Sequence, residues 1–291
     1  MSLWEKLERI DRRVLYALLW IVVLPVLYYP INLPTVISSL TQTYYNEIEA
    51  IPPGSVVALT FDLGPAGWPE LGGMCYTSMQ HLFSMVQEKG IKVVMLTYWA
   101  TGAALIPNCF NEVYGPMDQM GAAYGTDWVN LGYIAGGEVG MSAFADDVWG
   151  AKPTDYQGTL VSTLPMMQNV RTIQDVYMLV SIESGTPGLE EYLRQWWTRK
   201  STLKILIGAL GVSIPGVEPY RAANVVQSYL PGGKGASEYI SLVGKKVPAI
   251  IPGQMGKKAV GVNDALSTSH VLVIIFVVLG NIGYFLRPRR K

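Results

Sequence analysis

The chain has 291 residues, half of them hydrophobic, and 22 Lys/Arg balance 22 Asp/Glu for a formal net charge of zero. That balance leaves no basic face for nucleic acid, so no nucleic-acid partner is expected, and two cysteines are too few for a disulfide scaffold. It also conceals an asymmetry: residues 1–13 and 287–291 hold eight Lys/Arg and three acids, while the remainder holds fourteen and nineteen.

Residues 14–31, VLYALLWIVVLPVLYYPI, carry no charge. Roughly 20 apolar residues rising about 1.5 Å each cross a hydrocarbon core of about 30 Å, so this run predicts a transmembrane helix. It is longer than the 7–15-residue apolar core usual in a cleaved leader, and no small-residue cleavage site follows; it is read as a retained anchor. Trp20, Tyr28 and Tyr29 are amphipathic rings of the kind found in interfacial belts, and Pro25 is tolerable inside such a helix. A second apolar run, Val271 to Leu286, extends to residues 267–286 and ends on Arg287-Pro288-Arg289-Arg290-Lys291. Lys and Arg gather on the cytoplasmic side of spans. Four precede the first span and none follows it until Lys89. The expected topology therefore has cytoplasmic tails at 1–13 and 287–291, spans at 14–31 and 267–286, and residues 34–266 outside the cytoplasm at the plasma membrane.

Residues 32–54 read as a juxtamembrane helix and a turn. From Ser55 the pattern becomes short β-branched runs alternating with amphipathic segments: SVVALTFDL (55–63), IKVVMLTYW (91–99), WVNLGYIAG (128–136), VYMLVSI (176–182) and LKILIGAL (203–210). Near-continuous apolar strands separated by helices imply a parallel sheet buried on both faces. Helices are expected at 76–88, 156–168, 219–230 and 236–243, and one opens at Thr186-Pro187, with Gly90 as a C-terminal glycine. The predicted fold is an α/β domain over 55–247, doubly wound around a mostly parallel sheet of about five strands (Rossmann- or flavodoxin-like) and flanked by an N-terminal and a C-terminal transmembrane helix. A spiral β/α fold, as in crotonases and membrane-anchored signal-peptide peptidases, is the structural rival. Residues 248–266, with Pro248, Pro252, Gly253, Gly256 and Gly261, read as a tether back to the bilayer.

Ligands of doubly wound sheets bind beyond the strand carboxyl ends. That rule selects Asp62, Thr97, Trp99, Thr101, Gly136, Glu138, Glu183 and Ser184. Of these, Asp62, Thr101, Glu138, Glu183 and Ser184 are the candidate ligand-binding residues, with Asp62, Glu138 and Glu183 converging as a carboxylate group. Carboxylates so placed suit a hard cation, a sugar hydroxyl or acid/base work; capping of helices and loops is the plainer role for them. The turn Gly64-Pro-Ala-Gly67-Trp-Pro-Glu-Leu-Gly72-Gly73 follows a strand, yet it lacks G-x-G-x-x-G spacing and its prolines remove amide donors. Pro231-Gly-Gly-Lys234-Gly-Ala-Ser237 approaches a phosphate loop but misplaces Lys against Ser, and it is not expected directly after a strand. His81 and His270 have no metal-ligand spacing, so no metal is expected and no cofactor is named. Ser184 lacks the G-x-S-x-G elbow. Cys75 and Cys109, expected at the same sheet edge, are a candidate disulfide. Tyr192, Trp196 and Trp197 share a segment with Arg194, Arg199 and Lys200; the plain expectation puts Leu189, Leu193 and one tryptophan in the core.

These features predict a two-span membrane protein presenting an extracytoplasmic α/β domain as a non-catalytic binding or scaffold module. Its partners are the bilayer and, through its spans, further copies or other subunits of a membrane complex. The alternative is a membrane-anchored hydrolase of serine-peptidase type, which needs Ser184 beside a lysine or histidine base.

Overall fold

The computed structural model describes residues 11–113, 121–247 and 254–285. The chain divides into two compact units, Thr35–Ala259 and a second formed by Met1–Pro34 with Val260–Lys291.

The larger unit is built on six parallel strands: β1 (Val56–Asp62), β2 (Lys92–Thr97), β3 (Trp128–Tyr133), β4 (Met178–Glu183), β5 (Lys204–Ala209) and β6 (Ser228–Pro231). They lie side by side in the order β3-β2-β1-β4-β5-β6. Five of them coincide with the β-branched apolar runs, and β1 and β4 are buried almost throughout, as central strands covered on both faces must be. The order reverses direction between β1 and β4. It is that of a doubly wound α/β sheet with two mirrored halves, which displaces the spiral alternative. β1 and β4 run in register from Val57 beside Met178 to Asp62 beside Glu183.

The sixth strand corrects the sequence reading, which placed a helix over 219–230. A helix does occupy Ile214–Ala222, but Asn224 turns left-handed at φ 58° and ends it, freeing Ser228–Pro231 to pair with β5. Proline can close this strand because β6 is at the sheet edge. The helix expected over 156–168 is also replaced, by short 3-10 turns. Here the Asp155 carboxylate takes the Gln157 and Thr159 N–H groups, so local side-chain bonds outcompete helix formation. Val161, Met167, Val170 and Ile173 still fill the core from these turns.

Helices in chain order are α1 (Arg12–Tyr28), α2 (Ser39–Glu49), α3 (Trp68–Lys89), α4 (Gly102–Val113), α5 (Glu138–Asp146) and α6 (Leu189–Tyr192). A π-helical turn, Leu193–Trp197, continues α6, and α7 (Ile214–Ala222), α8 (Gly232–Lys246) and α9 (Gln254–Phe285) complete the series. A single helical turn at Val148–Ala151 follows α5. Helix α3 starts eight residues before the predicted 76, with Pro69 in its first turn, and ends at Gly90 with φ 64°, where a side chain would be strained.

Helix α2 is not a juxtamembrane spacer but part of the domain. The buried Glu238 carboxylate of α8 accepts the Ser38 N–H (3.0 Å), the Ser38 hydroxyl (2.6 Å) and the Thr41 hydroxyl (2.6 Å). At the other end of α2, Glu49 meets His81 Nε2 at 2.8 Å and Lys246 Nζ at 2.8 Å. His81 Nδ1 bonds the Tyr239 hydroxyl at 2.8 Å, and the Tyr45 ring stacks on the imidazole. Burial holds the His81 pKa below its ordinary value, so the ring is neutral and serves to join α2, α3 and α8.

In the smaller unit, one helical stretch among the described residues, Val260–Phe285, is long and apolar enough to cross a membrane. It belongs to α9, whose 32 residues also absorb positions 254–266 of the expected tether; residues 248–253 lie outside the described residues. The expected span at 14–31 is shorter as a helix. α1 has 17 residues, or about 26 Å of rise, because Pro30 disfavours helical backbone at Tyr29. Most of the expected cytoplasmic tails, residues 1–10 and 287–291, lies outside the described residues, as does position 286 of the second span. The fully buried Asp264 of α9 accepts the N–H groups of Asn32 (2.8 Å) and Leu33 (3.0 Å). A Cβ at Gly261 would lie 2.7 Å from the Leu27 carbonyl oxygen, so the end of α1 rests against the early part of the apolar stretch of α9.

Candidate ligand-binding crevice at the strand carboxyl ends

Asp62 and Glu183 are the last residues of β1 and β4, in register across the point where the strand order reverses. Neighbouring strands lie about 4.8 Å apart, and register partners face the same side of a sheet, so the two carboxyls are adjacent. Asp62 is fully buried and Glu183 is 8% exposed. Asp62 Oδ1 accepts the Tyr98 N–H at 2.6 Å and lies 3.2 Å from the Thr97 hydroxyl oxygen, and Oδ2 accepts the Tyr192 hydroxyl at 2.5 Å. Glu183 Oε2 accepts the Ser181 hydroxyl at 3.2 Å.

Burial dominates the electrostatics. It raises the Asp62 pKa to about 6 against the lowering effect of its hydrogen bonds, and the Glu183 pKa to about 8. The Leu189 N–H opposes the Glu183 shift, and the negative charge of Asp62 adds to it. Near pH 7 the pair holds about one negative charge, centred on Asp62, while Glu183 is mainly protonated.

Glu138 does not join them. It is about one-third exposed, bonded to Arg194 at 2.8 and 3.1 Å and to Gln195 at 2.9 Å, and these partners hold its carboxyl well below the usual range. The expected three-carboxylate group is therefore two plus one. Among the described residues no set of three His, Cys, Asp or Glu is placed to hold a metal ion.

The switch-point slot itself is filled by Trp99, which follows β2. A Cβ at Gly64 or at Gly185 would touch its ring at 3.5 Å, and its Nε1 donates to the Pro187 carbonyl at 3.0 Å. The glycines of the turn after β1 thus admit an indole and neighbouring backbone: Gly67 packs on Ser184, leaving 3.0 Å to its Cβ. Thr97 and Thr101 stitch this layer, donating to Phe61 O (2.8 Å) and Leu63 O (3.2 Å), and Gly136 forms the left-handed turn before α5. Ser184 Oγ accepts the Gly64 N–H at 3.3 Å, and the one described histidine of the larger unit, His81, is committed to Glu49 and Tyr239. No lysine or histidine base for Ser184 is found among the described contacts.

The open space lies one strand further on. A cavity of about 190 Å³ between the loops after β4 and β5 is walled by Glu183, Thr186, Leu189, Glu190, Ser213 and Val217 among others. Its outer wall is α7, through Gly216 and Val217, a neighbour of the site that the sequence pattern does not reveal. Tyr192 was also missed as a carboxylate partner; its place in an aromatic-basic segment hid that role. Leu189, Leu193 and Trp196 of that segment are buried, as expected, while Arg194 and Arg199 pair with acids at 2.8 Å.

The second glycine-rich stretch follows β6 directly, contrary to expectation, and opens α8. Its anion position is taken by protein: the Glu70 carboxylate, which accepts the Gly211 N–H at 2.9 Å, would be 2.2 Å from a Cβ at Gly232. Lys234 stands 3.6 Å from Glu238. Cys75 and Cys109 are buried thiols and do not form the expected bridge. Burial raises the Cys75 pKa, which leaves it an unreactive core side chain.

Comparison with protein-family models, with curated proteins and with solved structures returns no match to the chain.

Proposed function

We propose that this protein is a two-span membrane protein presenting its α/β domain outside the cytoplasm as a non-catalytic binding module within a membrane assembly. The observation that carries the binding role is the wall of the 190 Å³ cavity, where the buried Glu183 opens beside Asp62 at the strand carboxyl ends. The binding reading draws on polar recognition by Glu183, and Ser184 Oγ meets the Gly64 amide and no lysine or histidine among the described contacts. The anchoring role draws on Val260–Phe285 and on its contact with the end of α1. A helix pair joined where α1 ends and the α9 span begins is antiparallel, which suits tails on one side of the bilayer. Flanking residues allow α1, at 17 residues, to complete a short span. Further copies or other subunits would associate through these helices.

The topology is checked by placing one cysteine at Val212, which is 86% exposed. In intact cells, Val212→Cys is expected to react with a membrane-impermeant maleimide. Labelling that requires permeabilisation would refute an extracytoplasmic domain.

A further inference from the structure

The cavity beside Glu183 is small. Its 190 Å³ lies below the roughly 300–1,000 Å³ usual for ligand pockets, which favours a ligand of a few heavy atoms. Its walls carry three carboxyl groups, Glu183, Glu190 and Glu191, and no lysine, arginine or histidine. The nearby cation, Arg194, is divided among Glu138 at 2.8 Å, Glu191 at 2.6 Å and Glu190 at 3.6 Å, so negative charge remains in excess. The start of α7 opposes this with backbone N–H groups worth about half a unit charge, one of them removed by Pro215. Because the described acids do not assemble a metal site, the favoured cation is one held by hydrogen bonds and shape. Three wall positions are glycine (Gly185, Gly188 and Gly216), and Leu189 and Val217 supply an apolar patch.

We propose that this cavity binds a small primary amine, with its ammonium group on Glu183 and its alkyl portion against Leu189 and Val217. The proposal rests on the carboxyl-edge binding site inferred above and narrows its ligand to a class. An ammonium offers three N–H donors, and the Glu183 carboxyl that faces it lies out of water, where a charge-assisted bond is strongest. Binding ionises Glu183: the protonated carboxyl gives its proton to solvent and becomes the carboxylate that the ammonium faces. The charged and titratable groups around it are Asp62 from β1 and Glu191 from α6, with the Leu189 N–H and the Ser181 hydroxyl as donors. Both acids disfavour a second negative charge, so ionisation waits for the incoming cation.

Calorimetry on the full chain in detergent, with n-butylamine, n-butanol and butyrate as size-matched probes at pH 7, tests this. Butylamine is expected to bind at least tenfold more tightly than the other two. Its heat should differ between buffers of unequal ionisation enthalpy, as proton release requires. Glu183→Gln should weaken it at least tenfold, and the exposed Glu190→Gln, which leaves the core intact, a few-fold. Equal or tighter binding of butanol or butyrate overturns the amine assignment while leaving the crevice a binding site. No binding by any of the three overturns both. Unchanged affinity in both variants shows that the amine sits elsewhere and also refutes the proposal.

Discussion

Glu183 ties the stability of the fold to pH. Its folded pKa of about 8 lies above the ordinary value of 4.5, so the fold favours its protonated form. That contribution is fully present below about pH 4.5 and is lost as pH rises through 8. The wild-type domain should therefore lose about 2 kcal/mol between pH 6.5 and 8.5, given 1.36 kcal/mol per unit. This window lies above the titration of Asp62 near 6 and above that of His81, whose lowered pKa makes its contribution fall away only in acid. Glu183→Gln, an uncharged near-isostere, is expected to be more stable than wild type at pH 8.5 and to show a flat profile across the window. Urea midpoints at the two pH values measure it, and a parallel slope in the variant would locate the dependence at another group. The position of both carboxyls at strand ends could be read from the sequence. Their adjacency could not, because it depends on β4 rather than β2 or β3 lying beside β1 on that side.

At the scale of elements, legibility followed burial pattern. The five β-branched runs announced themselves because a central strand must be apolar on both faces. β6 did not: it has four residues, ends in Pro231 and is preceded by a helix that only Asn224 stops. The turns at 156–168 misled for a related reason, since their apolar spacing serves the core while Asp155 diverts the backbone. Helix α2 was misassigned because its anchor, Glu238, is two hundred residues from Ser38 in sequence. That anchor is a prediction in itself. Removing the carboxylate takes the acceptor from the buried Thr41 hydroxyl and from the part-buried Ser38 hydroxyl and amide, so Glu238→Ala should cost about 2 kcal/mol. Hydrogen exchange should show α2 opening ahead of the sheet in this variant. Uniform exchange across all elements would mean that α2 is held mainly by Tyr44 and Ile48.

For the whole molecule, the return of the chain to its starting point depends on Asp264. Its carboxylate is fully buried and holds the two amides that follow α1, while Gly261 lets the Leu27 carbonyl approach. Neither contact was visible in the sequence, where Asp264 fell inside a segment read as tether. A buried carboxylate is costly unless paired, and here backbone donors do the pairing. Without them the joint between α1 and α9 would rest on helix packing alone. Asp264→Ala is therefore expected to loosen residues 29–34 in the purified protein, raising their proteolysis at least tenfold. Asp264→Asn, which keeps one carbonyl acceptor, should give an intermediate rate. Because Thr35–Ala259 is a separate compact unit, the melting temperature of the α/β domain should stay within error in both variants. A matching loss of domain stability would show the two units to be energetically one, with the joint between α1 and α9 contributing to the stability of the α/β domain.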